Sequence, residues 1–137
     1  MIDIAWGPQY AVGNEMIDHQ HQVFVDLIRS SSDAIDRRRS EESVRRSLEE
    51  LVLYAKFHFF AEESMMINSG YPDSESHMKE HARVLSTFEK KVDEYFSNAE
   101  TGEASIVFIF EWLVLHTLDV DKKLAAHLHS HRLLGEF

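Results

Sequence analysis

The chain has 137 residues, enough for one sizeable core but not two, and its 44% hydrophobic and 28% charged content is that of an ordered globular domain. Its 24 acidic residues against 14 basic ones give a formal charge of −10, which repels nucleic acid and anionic membrane surfaces. Cysteine is absent, which excludes disulfides, thiolate metal sites and a cysteine nucleophile, so any metal must be held by nitrogen and oxygen.

Residues 1–14 contain Trp6, Gly7, Pro8, Tyr10, Gly13 and Asn14, a composition that predicts an irregular arm docked through its aromatic rings. The N-terminus lacks the basic region and apolar core of a secretory signal. The most apolar run, Ile106 to Leu115, is interrupted by Glu111, so a cytoplasmic chain without membrane insertion is expected. From Met16 onward Ile17, His21, Phe24, Ile28 and Ile35 recur at helical spacing, and Arg37-Arg38-Arg39 follows as a cationic helix end. Ser40 can cap a second helix with Glu41 and Glu42 in its first turn. Its inward positions Val44, Leu48, Leu51, Ala55, His58, Glu62 and Met65 alternate by four and three, the seam of an antiparallel bundle, and Gly70 ends it.

Pro72 cannot continue a helix, whereas Asp73 or Ser74 can cap a third one carrying His77, His81, Val84, Phe88, Val92 and Tyr95 inward. The polar segment Ser97 to Gly102 reads as a turn. A fourth helix then begins near Glu103, with Ile109, Trp112, Leu113, His116, Val120 and Leu124 inward. The expected fold is all-α: an up-down-up-down antiparallel four-helix bundle over residues 15–128, preceded by the arm and followed by a tail over 129–137.

His58 and Glu62 are four residues apart, as are His77 and His81, so each pair stacks on one helix face a turn apart and can share a metal. One histidine on an apolar stripe is ordinarily a satisfied core residue. Five together, His21, His58, His77, His81 and His116, point to a metal, because ionisable groups are costly to bury uncompensated. His19 points away from the His21 face, and the cluster His127, His129 and His131, with a two-residue spacing that does not share one helix face, reads as a solvated or frayed tail in preference to an accessory metal site. Glu63 lies about 100° beyond Glu62 and reads as outward or supporting. On the fourth helix the spacing leaves two candidates. Asp119 is about 60° off the His116 face and Asp121 about 140° off, so ideal geometry favours Asp119, while a π-type distortion would let Asp121 reach a second metal.

The set His21, His58-x-x-x-Glu62, His77-x-x-x-His81 and His116-x-x-x-x-Asp121 resembles the ligand pattern of the hemerythrin family, in particular its single-domain bacterial members. So do Ile17-Asp18-His19-Gln20-His21, His58-Phe59, Glu62-Glu63, Gly70-Tyr71-Pro72 and Trp112-Leu113, which extends the likeness over nearly the whole chain. The resemblance selects Asp121. It implies two non-haem irons with an oxo or hydroxo bridge, one held by His77, His81 and His116, the other by His21 and His58, with Glu62 and Asp121 spanning both. Only the iron with His21 and His58 would have a position for O2. Phe59, Trp112, Leu113 and Thr117 would border the oxygen pocket, Thr117 standing where the family often has an aliphatic residue.

The implied function is non-enzymatic: reversible O2 binding for storage, transport or delivery to an oxygen-consuming enzyme. An oxygen or redox sensor acting on a signalling protein, and a di-iron peroxidase or nitric-oxide-handling protein, are the alternatives. Two other site classes lack their motifs, since neither the Glu-x-x-His of ferritin-like oxidases nor the HExxH of zinc hydrolases occurs.

Overall fold

A computed structural model describes residues 4–98 and 102–135, except for the side chains of residues 98, 102, 103, 117 and 132–135. Helix α1 (Glu15–Asp36), α2 (Glu41–Ser69) and α3 (Ser74–Asn98) are followed by a fourth rod in three sections: α4 (Gly102–His116), a π-helical segment (Thr117–Asp121) and α5 (Lys122–Gly135). His116 and Lys122 both keep right-handed helical backbone angles, so the rod runs through the π segment without a break. No strand occurs among the described residues. Helices α1 and α2, α2 and α3, α3 and α4, and α4 and α1 are the contacting neighbours, which closes an antiparallel four-helix bundle. No helix among the described residues is long and apolar enough to cross a membrane.

Local signals set the helix ends. Asn14 Oδ1 accepts the Ile17 N–H at 3.0 Å to start α1, and Ser40 Oγ accepts the Ser43 N–H at 3.1 Å to start α2. Gly70 stops α2 at φ 64°, a left-handed position that an L side chain enters at a cost; the Tyr71 N–H then bonds the Met66 carbonyl at 3.0 Å. Over its described residues, 4–14, the arm is irregular apart from a 3₁₀ turn at Pro8–Tyr10. It is anchored by the buried Ile4, whose carbonyl accepts from Arg29 Nε at 2.7 Å, and by Trp6, 6.2 Å from the His21 ring.

Four sequence expectations are corrected. The segment over 129–137 is not a separate tail, because α5 continues through Gly135. The chain between α3 and α4 is shorter than the expected turn: Ser97, Asn98 and Gly102 are helical, and residues 99–101 lie outside the described residues. Arg37–Arg39 fall past the end of α1, with Arg38 at φ 51°, so they form the turn and not a cationic last helical turn. On α2 it is Met66, not Met65, that is fully buried.

The apolar core forms two clusters. The larger includes Phe24, Ile28, Leu48, Leu51, Phe59, Val84, Phe88, Ile109 and Leu113; the smaller comprises Ile17, Met66, Tyr71 and Leu124. In chain order the buried histidines and carboxylates fall between a member of one cluster and a member of the other: His21 between Ile17 and Phe24, His58 and Glu62 between Ala55 and Met66, His77 and His81 between Tyr71, just before α3, and Val84, and His116 and Asp121 between Leu113 and Leu124. A polar layer thus crosses the bundle between two dry ones.

Candidate metal centre

All seven predicted ligands meet in that layer, each at most 4% exposed. They form two overlapping groups whose ligand atoms lie within 4.8 Å of one another: Glu62, His77, His81 and His116, and His21, His58, Glu62 and Asp121. The carboxylates divide their oxygens between the two sets of imidazoles. Glu62 turns Oε2 to His58 (3.1 Å) and His21 (3.5 Å) and Oε1 to His81 (3.2 Å) and His77 (3.4 Å). Asp121 turns Oδ2 to His21 (2.9 Å) and Oδ1 to His116 (2.7 Å) and His77 (3.2 Å). Each carboxylate therefore spans from one histidine set to the other.

Asp121 reaches the layer through the π segment. One residue inserted into a helical turn delays every later side chain by about 100°, enough to bring a position five residues after His116 back toward its face. The shift also leaves Val120, expected inward, only half-buried. Asp119, which ideal helix geometry favours, projects to the surface and pairs with Lys123 at 3.4 Å, its side chain 69% exposed.

Burial by itself would drive the imidazoles toward neutrality and the carboxylates toward protonation. Among these side chains alone the pairings prevail. Burial lowers the His21 and His77 pKa values, but the Asp121 and Glu62 carboxylates against them raise both to about 9. Burial raises Glu62, while His58, His21 and His77 bring it well below the usual carboxylate range. Asp121, raised by burial and by Glu62, is likewise brought down by His116, His21 and His77. His21 and His77 are thus imidazolium at neutral pH and must lose their protons to ligate a cation. Loading divalent metal into the apoprotein at pH 7 is expected to release about two protons per chain in a weakly buffered indicator assay, and uptake to weaken as pH falls. Proton-neutral uptake would contradict this.

Two residues outside the predicted ligand set fix ring orientation. The Gln20 side-chain oxygen accepts from His58 Nδ1 at 2.8 Å, and Glu63 Oε2 accepts from His81 Nδ1 at 3.1 Å. An amide or carboxylate oxygen can only accept, so each bond puts the ring proton on Nδ1 and turns the Nε2 lone pair inward. Gln20 has no signal in helical periodicity, because it sits 100° from His21; Glu63 is in the supporting position that the sequence allows. Neither oxygen of Glu62 or Asp121, nor Nε2 of His58 or His81, has a directed hydrogen bond in this crowded layer. Buried acceptors and lone pairs converging in this way fit cations between them.

Aromatic rings enclose the layer. Phe59 stacks on His81 at 4.1 Å and reaches His58 at 5.8 Å; Trp112 stacks on His116 at 4.3 Å; Phe24 stands 5.8 Å from His58. Of the residues assigned to an oxygen pocket, Phe59 touches both histidine sets. Trp112 faces the three-histidine set, Leu113 is buried in the larger core cluster, and the Thr117 side chain lies outside the described residues. His19 is exposed. His127 instead packs on Tyr71 with its Nε2 3.0 Å from the Ser69 carbonyl, His131 stacks 6.3 Å from it, and His129 is exposed.

Residues 12–128 match the family described as the hemerythrin HHE cation binding domain. The chain is 33% identical over 118 residues to a hemerythrin-like protein of Naegleria gruberi, covering 86% of this chain and 87% of that one. It is 33% identical over 109 residues to a bacteriohemerythrin of Methylococcus capsulatus, covering 77% and 80%. A Pseudomonas aeruginosa bacteriohemerythrin is 32% identical over 103 residues, which span 75% of this chain and 64% of the relative. The family match over the bundle and the two relatives at 33% show that this chain belongs to the hemerythrin family.

Proposed function

We propose that this protein binds O2 reversibly at a non-haem di-iron centre, as a carrier or store and not as an enzyme. The supporting observation is the division of both carboxylates between two histidine sets of unequal size. His77, His81 and His116 would hold one iron and His21 and His58 the other, with Glu62 and Asp121 between them. Counting both carboxylates, the chain would offer the first ion five ligands and the second four, which would leave the His21 and His58 side the more open.

When bound, a pair of ferrous ions supplies two reversible one-electron reductions to O2. The protein's part is charge, orientation and dryness. Glu62 and Asp121 offset the cationic charge, Gln20 and Glu63 hold His58 and His81 with Nε2 inward, and Phe24, Phe59 and Trp6 present carbon around the His21 and His58 side. An apolar wall there slows the entry of water and protons, the agents that would convert reversible binding into irreversible oxidation.

The iron-loaded protein should be reduced anaerobically and then exposed to air. The expected result is a visible ligand-to-metal absorption band that disappears on removing O2 and returns on readmission over repeated cycles. Irreversible oxidation in the first cycle, or catalytic consumption of O2 with reductant, would overturn the carrier reading.

A further inference from the structure

Helix α2 has a second apolar face that no described residue covers. Leu53, Phe57, Phe60 and Ile67 are 64%, 54%, 70% and 67% exposed, on the side opposite Leu51, Ala55, His58 and Glu62. With Ser64 they fall at positions 53, 57, 60, 64 and 67, alternating four and three as in the seam of a coiled coil. Large apolar side chains scattered singly need no explanation, but four in one register on one helix form a continuous stripe. We propose that this stripe is a docking surface for a second copy of the chain, α2 packing antiparallel on its partner's α2 about a two-fold axis at Phe60.

The register selects that occupant. Leu53 and Ile67 are each seven residues from Phe60, so antiparallel superposition sets Leu53 against Ile67 of the partner subunit and Phe60 against Phe60 of the partner subunit. Phe57, three residues before the axis, then falls level with Glu63 of the partner subunit and beside Ser64 of the partner subunit, whose small side chain leaves space for its ring. Leu53, Phe60 and Ile67 each find an apolar counterpart and Phe57 a small neighbour on the seam, as an isologous contact requires.

Charge disfavours the parallel alternative. The N-terminal half of the same face carries the exposed Glu42, Arg46 and Glu49. Parallel pairing would set each of these against its own copy. Antiparallel pairing centred on Phe60 leaves them beyond the partner's helix, which ends at Ser69, and it also opposes the two helix dipoles.

The area is adequate for a weak contact. About two-thirds of each of four large side chains is open, roughly 100 Å² apiece, so the two copies would bury about 800 Å² from the stripe and about 1,200 Å² with its flanks. That is the low end for a specific interface, which predicts a dimer formed reversibly at micromolar concentrations. The chain's formal charge of −10 opposes it, so added salt should strengthen association.

Sedimentation velocity of the full iron-loaded chain over a concentration series tests the proposal. A monomer–dimer equilibrium is expected, weakened about 100-fold or more by Phe60→Glu, with iron content unchanged. Leu115→Glu, on the exposed face of α4, should leave it intact. Because the chain has no cysteine, single introduced thiols report geometry directly. Phe60→Cys should cross-link on mild oxidation, and Leu53→Cys with Ile67→Cys in one chain should cross-link where neither does alone. A monomer at every concentration would overturn the proposal. So would cross-linking by Ile67→Cys alone, which marks a parallel pair, or by Leu115→Cys in place of Phe60→Cys, which marks an α4 contact.

Discussion

Asp121→Ala should abolish binding of the metal pair, whereas Asp119→Ala should leave metal content within error of the parent. Asp121 is fully buried and places its two oxygens 2.7 to 3.2 Å from three imidazoles drawn from both histidine sets, and among the described side chains only Glu62 also spans the sets in this way. Its removal takes away one anionic charge and one bridging group, leaving two divalent cations with a single carboxylate between them. An uncompensated buried charge costs about 3–5 kcal/mol, which corresponds to a loss of roughly 100- to 1,000-fold or more in affinity. Asp119 loses only a surface pair with Lys123, worth at most about 0.5 kcal/mol. Metal analysis of both variants purified after iron-replete growth reads the difference. Equal losses would mean that the π segment is not what delivers the second carboxylate.

That contrast also marks where the sequence is informative. Periodicity places His21, His58, Glu62, His77, His81 and His116 on inward faces, because each lies on a helix of regular twist, and all six are buried. It ranks Asp119 above Asp121 because it assumes the same twist past His116; five residues of π helix break that assumption. Nothing in the pattern Thr-Leu-Asp-Val-Asp encodes the distortion by itself. It brings a carboxylate into the layer of imidazoles, and in the sequence only the resemblance to a known ligand set selects Asp121 over Asp119. Gln20 was hidden for a related reason: its role follows from a hydrogen bond to a neighbouring helix, His58 Nδ1 at 2.8 Å, which no single-helix pattern contains. The continuation of α5 through Gly135 is hidden because His127-x-His129-x-His131 suggests alternation. In the helix His127 and His131 share a face, and only His129 turns away.

Removing the metal should lower the thermal midpoint by about 10–20 °C at neutral pH, and the gap between loaded and metal-free protein should widen as pH rises. The first part follows from the composition of the layer: five imidazoles and two carboxylates, buried between two apolar clusters, lose the cations toward which they converge. Replacement by partial imidazole–carboxylate pairing leaves a deficit of about 3–5 kcal/mol, or the stated shift for a chain of this size. The pH dependence follows from what substitutes for the metal. In the apoprotein His21 and His77 have pKa values near 9, above the ordinary 6.5, so the stability that their charged forms contribute is fully present below about 6.5 and is lost as pH rises through 9. Glu62 and Asp121 are shifted down, so their contribution is present above the ordinary carboxylate range and is lost only in acid. The apoprotein should therefore be most stable between about pH 5 and 7 and fall away on the alkaline side. In the loaded protein these imidazoles are already neutral, and that alkaline loss has no counterpart. Parallel thermal melts of the two forms from pH 6 to 9 measure the gap. A constant gap, or one that narrows toward pH 9, would show that protonated His21 and His77 do not stand in for the missing cations.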